Sequence, residues 1–355
     1  MLTWILVIFA FGVLIIVHEA GHLIAAKRAG IAVEVFSVGM GRRLFGKKIG
    51  ETDYRVSLIP FGGYCKLAGE DPDEAQGREY EFGSKPVGYR FWVVAAGSLT
   101  NYIFAFILFS IVFMMGVPTL SNEVGELLEN YPAEKAGIRV GDRILSINAR
   151  SVEYWDDIVA LISEESKKED VLNMEVQRGE RTMNIAVRPE ISEIKNIFGQ
   201  TISRPMVGIA PESKILAVSY GPLKAVYYGG RRLIVLTGMT YKGIWLILTG
   251  GMPLKGSGTG PIGIAFIMRQ AANMGIVPFL LIMAHISMAL AIFNLLPFPV
   301  LDGGHILFLG IEKVRGRALS AKVQEVITQV ALLLILAFAI FICWQDILRF
   351  TPLGK

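Results

Sequence analysis

Residues 14–27, LIIVHEAGHLIAAK, put two histidines and a glutamate inside a run that otherwise reads as lipid-facing wall. The segment around them, residues 4–26 (WILVIFAFGVLIIVHEAGHLIAA), is long enough to cross about 30 Å of hydrocarbon at roughly 1.5 Å per residue. It lacks a basic leader and a small-x-small cleavage site after a short core, so a retained helix is expected rather than a signal peptide. A charged side chain near mid-bilayer costs upwards of about 2.5 kcal/mol, which marks these residues as functional.

The rest of the chain agrees with a membrane setting. Its 355 residues are 53% hydrophobic and only 19% charged, with a mean hydropathy of +0.50, too apolar for an average soluble domain. Net charge is +4, and the 35 basic and 31 acidic residues are interspersed rather than massed, so nucleic acid is not indicated as a partner. Cys65 and Cys343 form no CxxC pair, which leaves nitrogen and oxygen as the donors for any metal. Further spans are expected at 92–115, 277–298 and 326–348, giving four transmembrane helices with both ends on one side. No Lys or Arg precedes Lys27, whereas residues 27–91 carry eleven, and Lys313, Arg315, Arg317 and Lys322 follow the third span. The positive-inside rule therefore places these two connections in the cytoplasm and both termini outside it.

Two connections promise structure of their own. Between the first two spans, short alternating β-rich runs at 33–38, 53–59 and 63–67, broken by glycines, read as a small antiparallel sheet at the cytoplasmic membrane face, within about 31–68. The stretch 119–190 reads as one compact α+β domain: a short helix at 132–136, a stop at Gly137, a strand ILSIN, an amphipathic helix at 155–162 and a hairpin around Arg178-Gly179-Glu180. Its AEKAGIRVGDRILSIN segment resembles the bacterial, protease-associated kind of PDZ domain, which implies either capture of an extended peptide or carboxyl terminus by strand addition or a steric gate that binds none tightly. Residues 191–276 read as a linker followed by an interfacial amphipathic segment, because RRLIVLTGMTYKGIWLILTGG is apolar but interrupted by Lys242 and several glycines. The domain limits are thus 1–118, 119–190, 191–276 and 277–355.

His18-Glu19-Ala20-Gly21-His22 fits H-E-x-x-H on a helix. Histidines four apart lie about 40° apart around the axis and one turn along it, so both rings reach one ion from the same face. Zn2+ accepts such nitrogen donors and in catalytic sites keeps a position for water, whose proton Glu19 can take. A third ligand is sought in FNLLPFPVLDGGH at the end of the third span, where Pro297 and Pro299 break the helix. Asp302 is preferred to His305 because a carboxylate neutralises part of the ion's charge.

The HExxH in the first span, the N-x-x-P-x-P-x-x-D-G motif in the third and the PDZ-like insertion resemble the site-2 protease family of intramembrane zinc metalloproteases, over most of the chain. The resemblance implies His18, His22 and Asp302 as zinc ligands, Glu19 as general base, and Asn294 as a substrate or oxyanion contact. It further implies that Gly39, Met40 and Gly41, with Phe61, Gly62, Gly63 and Tyr64 of the PFGGY run, form substrate-strand elements. Single-pass transmembrane substrates in a bacterial inner membrane follow, such as anti-sigma factors or remnant signal peptides, with the active site toward the cytoplasm. Two rivals make different demands. A membrane PDZ scaffold with a structural zinc site needs a closed four-ligand sphere, and a zinc transporter needs polar residues spread along a path. One departure is that there is room for a single PDZ-like domain rather than a pair.

Overall fold

The computed structural model describes residues 2–71, 74–195, 201–253 and 259–350. In chain order the first elements are helix α1 (Leu2–Arg28), strands β1 (Val33–Ile49) and β2 (Thr52–Leu67), and helix α2 (Val87–Met115). Then come β3 (Val117–Leu120), β4 (Val124–Leu127), α3 (Pro132–Lys135), β5 (Arg143–Ile147), β6 (Arg150–Ser151), α4 (Trp155–Glu165), β7 (Leu172–Arg178) and β8 (Arg181–Val187). β9 (Glu190–Lys195), β10 (Thr201–Met206), β11 (Ile209–Pro211) and β12 (Ile215–Val218) precede the helices α5 (Pro222–Leu248), α6 (Pro261–Met274), α7 (Ile276–Asn294), α8 (Asp302–Arg315) and α9 (Ala321–Phe350). By length and composition, four helices among the described residues can cross a membrane: α1, α2, α7 and α9.

These elements fall into two units. One comprises residues 1–112, 222–241 and 258–355, the other 113–221 and 242–257. In the helical unit, α1 and α2 approach almost to backbone contact: a Cβ at Gly21 would lie 2.4 Å from the Ala96 carbonyl oxygen. Small residues permit such closeness where lipid offers no competing hydrophobic drive. Thr100 Oγ1 then donates across the crossing to the Val17 carbonyl at 3.0 Å. α5 meets α2 in the same way, since a Cβ at Gly229 would stand 2.7 Å from Ser110 Oγ. α5 is not among the helices apolar enough to span, as its interrupting charges suggested.

The expected small sheet is built from longer strands than its three short runs predicted. β1 and β2 pair antiparallel, and each folds on itself: residues 35–38 pair with 63–66 on one side and with 53–56 on the other, while 43–49 pair with 52–57. Two strands thus make four strand segments joined by three ladders. The reversal in β1 occurs at Gly39, whose φ of 89° is open to glycine at little cost. The base of this sheet is welded to the helices through Ala26, Ile31, Val33, Leu67 and Val93, all buried.

The third span ends sooner than expected. α7 stops at Asn294, the Pro297/Pro299 segment forms an irregular turn, and Asp302 opens a separate helix, α8. α6 was not anticipated. It is anchored by Asp346 of α9, whose carboxylate accepts from the Gly260 and Gly263 amides at 3.1 and 2.8 Å and so satisfies the first turn of α6.

In the other unit, the four-stranded order is β6-β5-β7-β8, and α4 covers it with Trp155, Ile158, Leu161 and Ile162. The helix opens with Asp157 accepting from the Glu153 and Tyr154 amides, both at 3.0 Å. The stretch read as linker contributes to this unit: β11 pairs with β4, β12 pairs with β3, and Val207 joins the same core as Val124.

Candidate metal centre

α1 carries His18 and His22 on one face, one turn apart, and α8 delivers Asp302 from its first position. The two Nε2 atoms stand 3.3 Å apart. His18 Nε2 lies 3.5 Å from Asp302 Oδ2, and His22 Nε2 lies 3.6 Å from Asp302 Oδ1. Donors held tetrahedrally at about 2.0–2.1 Å stand about 3.3–3.4 Å from one another, so the triangle has the dimensions that one zinc ion requires. Among the described residues these three form the group of His, Cys, Asp and Glu donors close enough to share an ion. His305 lines the same cavity but is not part of the group.

Supporting contacts orient each donor. His22 Nδ1 lies 2.9 Å from the Val93 carbonyl. A carbonyl only accepts, so that nitrogen carries the proton and Nε2 presents its lone pair to the triangle. Ser98 Oγ donates to Asp302 Oδ2 at 2.9 Å. Gly97 leaves the space the imidazoles occupy, for a Cβ there would lie 2.2 Å from His22 Nε2 and 2.8 Å from His18 Cε1. Gly303 and Gly304 do the same for the turn before α8, since their Cβ atoms would strike the Leu296 and Phe298 carbonyl oxygens at 2.2 and 2.3 Å. In the sequence, nothing local marks Gly97 and Ser98 beyond their small size. Their part at the centre depends on where α8 arrives, and local sequence does not encode that.

The triangle opens on a cavity of about 690 Å³ lined by His18, Glu19, His22, Tyr64, Cys65, Glu70 and Asp302 among others. Glu19 therefore shares the space into which the donors point. Gly63 lies beside it, its notional Cβ 3.3 Å from Glu19 Cγ. Burial pushes the Cys65 thiol up to about 12, with the Glu19 and Glu70 carboxylates adding to the effect, so it remains a neutral thiol.

The other substrate-strand residues are placed differently. Tyr64 lines the cavity, whereas Gly39, Met40, Gly41, Gly62 and Asn294 are not among its lining residues. Met40 packs on Gly62, whose notional Cβ would meet Met40 Cε at 2.7 Å. Asn294 is the last residue of α7 and half-buried. Phe61 belongs to β2, but its side chain lies outside the described residues.

Comparison with known proteins follows the same outline. The family model described as peptidase family M50 matches residues 6–338. A putative zinc metalloprotease of Clostridium perfringens is 33% identical over 97% of this chain and 98% of its own. The regulator of sigma-W protease RasP of Bacillus subtilis is 30% identical, covering 98% of each chain. The regulator of sigma-E protease RseP of Escherichia coli is 29% identical over 94% of this chain and 96% of its own. Among solved structures, the HtrA3 PDZ domain bound to a phage-derived ligand matches 20% of this chain and 61% of that one, at 28% identity and a TM-score of 0.18. With a match across nearly its whole length, the chain belongs to peptidase family M50, the intramembrane zinc metalloproteases of the site-2 protease kind.

Proposed function

We propose that His18, His22 and Asp302 hold the zinc ion, that Glu19 is the general base, and that the substrate is a single-pass membrane protein cut within or near its transmembrane segment. The observation that carries this reading is the donor triangle of 3.3–3.6 Å, assembled from helices at opposite ends of the chain beside Glu19. Zinc held by these three residues would supply Lewis acidity at the reacting water and peptide carbonyl. Glu19 takes the proton from the attacking water and returns it to the departing amine. His22, fixed by Val93, and Asp302, fixed by Ser98, keep the donors oriented while the charge develops.

A transmembrane helix hides its carbonyls in its own hydrogen bonds, so the substrate must unwind before cleavage. Residues 63–66 support the next step: their ladder partners are residues 35–38 on one side, and Tyr64 and Cys65 line the cavity. The remaining edge can receive an extended chain by strand addition. Tyr64 and Gly63 stand nearest that route, and Gly39, Met40, Gly41, Phe61 and Gly62 belong to the same two strands, β1 and β2. Asn294, at the entrance to the turn bearing Asp302, is the proposed oxyanion or substrate contact.

The unit spanning 113–221 acts as a PDZ-like recognition domain outside the cytoplasm, with its groove between α4 and residues 204–209. The basic connections favour a centre toward the cytoplasmic side and both termini outside. Relatives named regulator of sigma-W protease and regulator of sigma-E protease favour a bacterial inner membrane and substrates of the anti-sigma-factor class. Glu19→Gln tests the reading: the purified protein should retain zinc and lose cleavage of a single-span substrate in detergent, and undiminished cleavage removes Glu19 from its role.

A further inference from the structure

Glu312 of α8 and Arg90 of α2 form a two-pronged ion pair across the wall of the metal cavity. Arg90 Nη1 donates to Glu312 Oε2 at 3.0 Å, and Arg90 Nη2 donates to Glu312 Oε1. Both side chains are largely enclosed, at 12% and 19% exposure. Arg90 Nε donates in turn to the Lys85 carbonyl at 2.9 Å, which fixes the guanidinium plane from behind. The pair stands apart from the donor triangle, but both residues line the same cavity.

Its position along the helices gives it a second meaning. Arg90 and Ser98 are eight residues apart on α2, about 12 Å of rise, and Asp302 and Glu312 are ten apart on α8, about 15 Å. Ser98 meets Asp302 at one end and Arg90 meets Glu312 at the other. α8 is therefore held on α2 at two points in opposite chain directions. With only the hydroxyl contact, α8 could slide or turn about it: one residue of slip moves a side chain about 1.5 Å along the axis and about 100° around it. Metal donors tolerate errors of only about 0.5 Å. A planar guanidinium facing a carboxylate through two parallel bonds admits no such slip.

We propose that Arg90 and Glu312 are positioning residues for the metal centre, setting the register of α8 so that Asp302 completes the triangle with His18 and His22. This rests on the reading of those three residues as the zinc ligands. The pair touches neither substrate nor metal and acts through Asp302.

The test uses the full chain in detergent, with zinc affinity measured by competition against a chelating dye and with kcat and KM measured on a single-span substrate. Arg90→Gln and Glu312→Gln should each weaken zinc binding about 10- to 100-fold, the scale of outer-sphere partners of metal ligands. With zinc in excess, kcat should remain lowered while KM changes little. The exchanged pair, Arg90→Glu with Glu312→Arg, should recover zinc affinity to within a few-fold of the native protein, which a general loss of packing would not allow. Native zinc affinity in both single variants overturns the proposal, as does an exchanged pair no better than the singles. Should the single variants fail to accumulate, the exchanged pair alone decides: recovered affinity supports register-setting, and lost affinity overturns it. Asp302→Ala run in parallel separates the two levels. If it binds zinc as tightly as the native protein, the ligand reading has failed. If it does not and the pair variants do, only the positioning role has failed.

Discussion

At the scale of single residues, the centre depends on side chains that are absent as much as on those present. Gly97→Ala adds one methyl 2.2 Å from His22 Nε2, within a helix whose backbone cannot retreat from α1. Zinc affinity should fall about 10- to 100-fold, measured by dye competition, with little change in helix content by circular dichroism. Glu19→Gln separates binding from chemistry: zinc content stays stoichiometric while cleavage drops about 100- to 10,000-fold, the range of a lost general base. The histidines and glutamate were legible in the sequence because H-E-x-x-H is a local pattern set by the helix period. Gly97 was not, because its neighbours are 75 and 79 residues away in sequence and meet it only through the crossing of α1 and α2.

At the scale of elements, the site is an arrangement of helix ends and turns. The proline-broken segment after α7 was readable, since Pro297 and Pro299 cannot continue a helix. That Asp302 begins a new helix, and that this helix is tied at both ends to α2, was not. α6 also escaped the sequence reading because its start is stabilised from far away: Asp346, buried on α9, supplies the acceptors for the Gly260 and Gly263 amides. Asp346→Ala should lower stability by about 1–3 kcal/mol, the scale of buried donors left without an acceptor, seen as an earlier thermal transition in detergent and faster exchange of the Gly260 and Gly263 amides. In the unit of 113–221, Lys168, Arg150 and Asn148 all donate to Glu165 and hold its carboxyl down at about 2. The folded value lies below the unfolded one near about 4.3. The contribution is therefore complete above about 4.3 and is lost as pH falls toward about 2. Amide exchange in the β5-β7-β8 sheet should accelerate across that window, and Glu165→Gln should flatten the dependence.

At the scale of the whole molecule, function requires a metal, a membrane and a substrate to meet. Chelation should abolish cleavage and stoichiometric zinc should restore it, with the donor triangle as the only change; restoration in Asp302→Ala would contradict its role. Topology has its own test. A single cysteine at exposed Val140 should react with an impermeant maleimide from outside intact cells, whereas one at exposed Lys47 should react only after the membrane is breached. The opposite pattern would reverse the proposed orientation.

The sequence alone determined the four helices apolar enough to span a membrane, the helix that carries both histidines and the approximate position of the carboxylate. These follow from hydropathy, the 3.6-residue period and proline's missing amide, all properties of short segments. Only the tertiary structure decided which small residues make room for the imidazoles, how two strands fold into four paired segments, and how residues 201–218 complete the second unit. Those depend on contacts between residues remote in sequence, whose energies no local pattern carries. The stretch LIIVHEAGHLIAAK supplies two imidazoles and a carboxylate; the Asp302 carboxylate is brought to the imidazoles by α8.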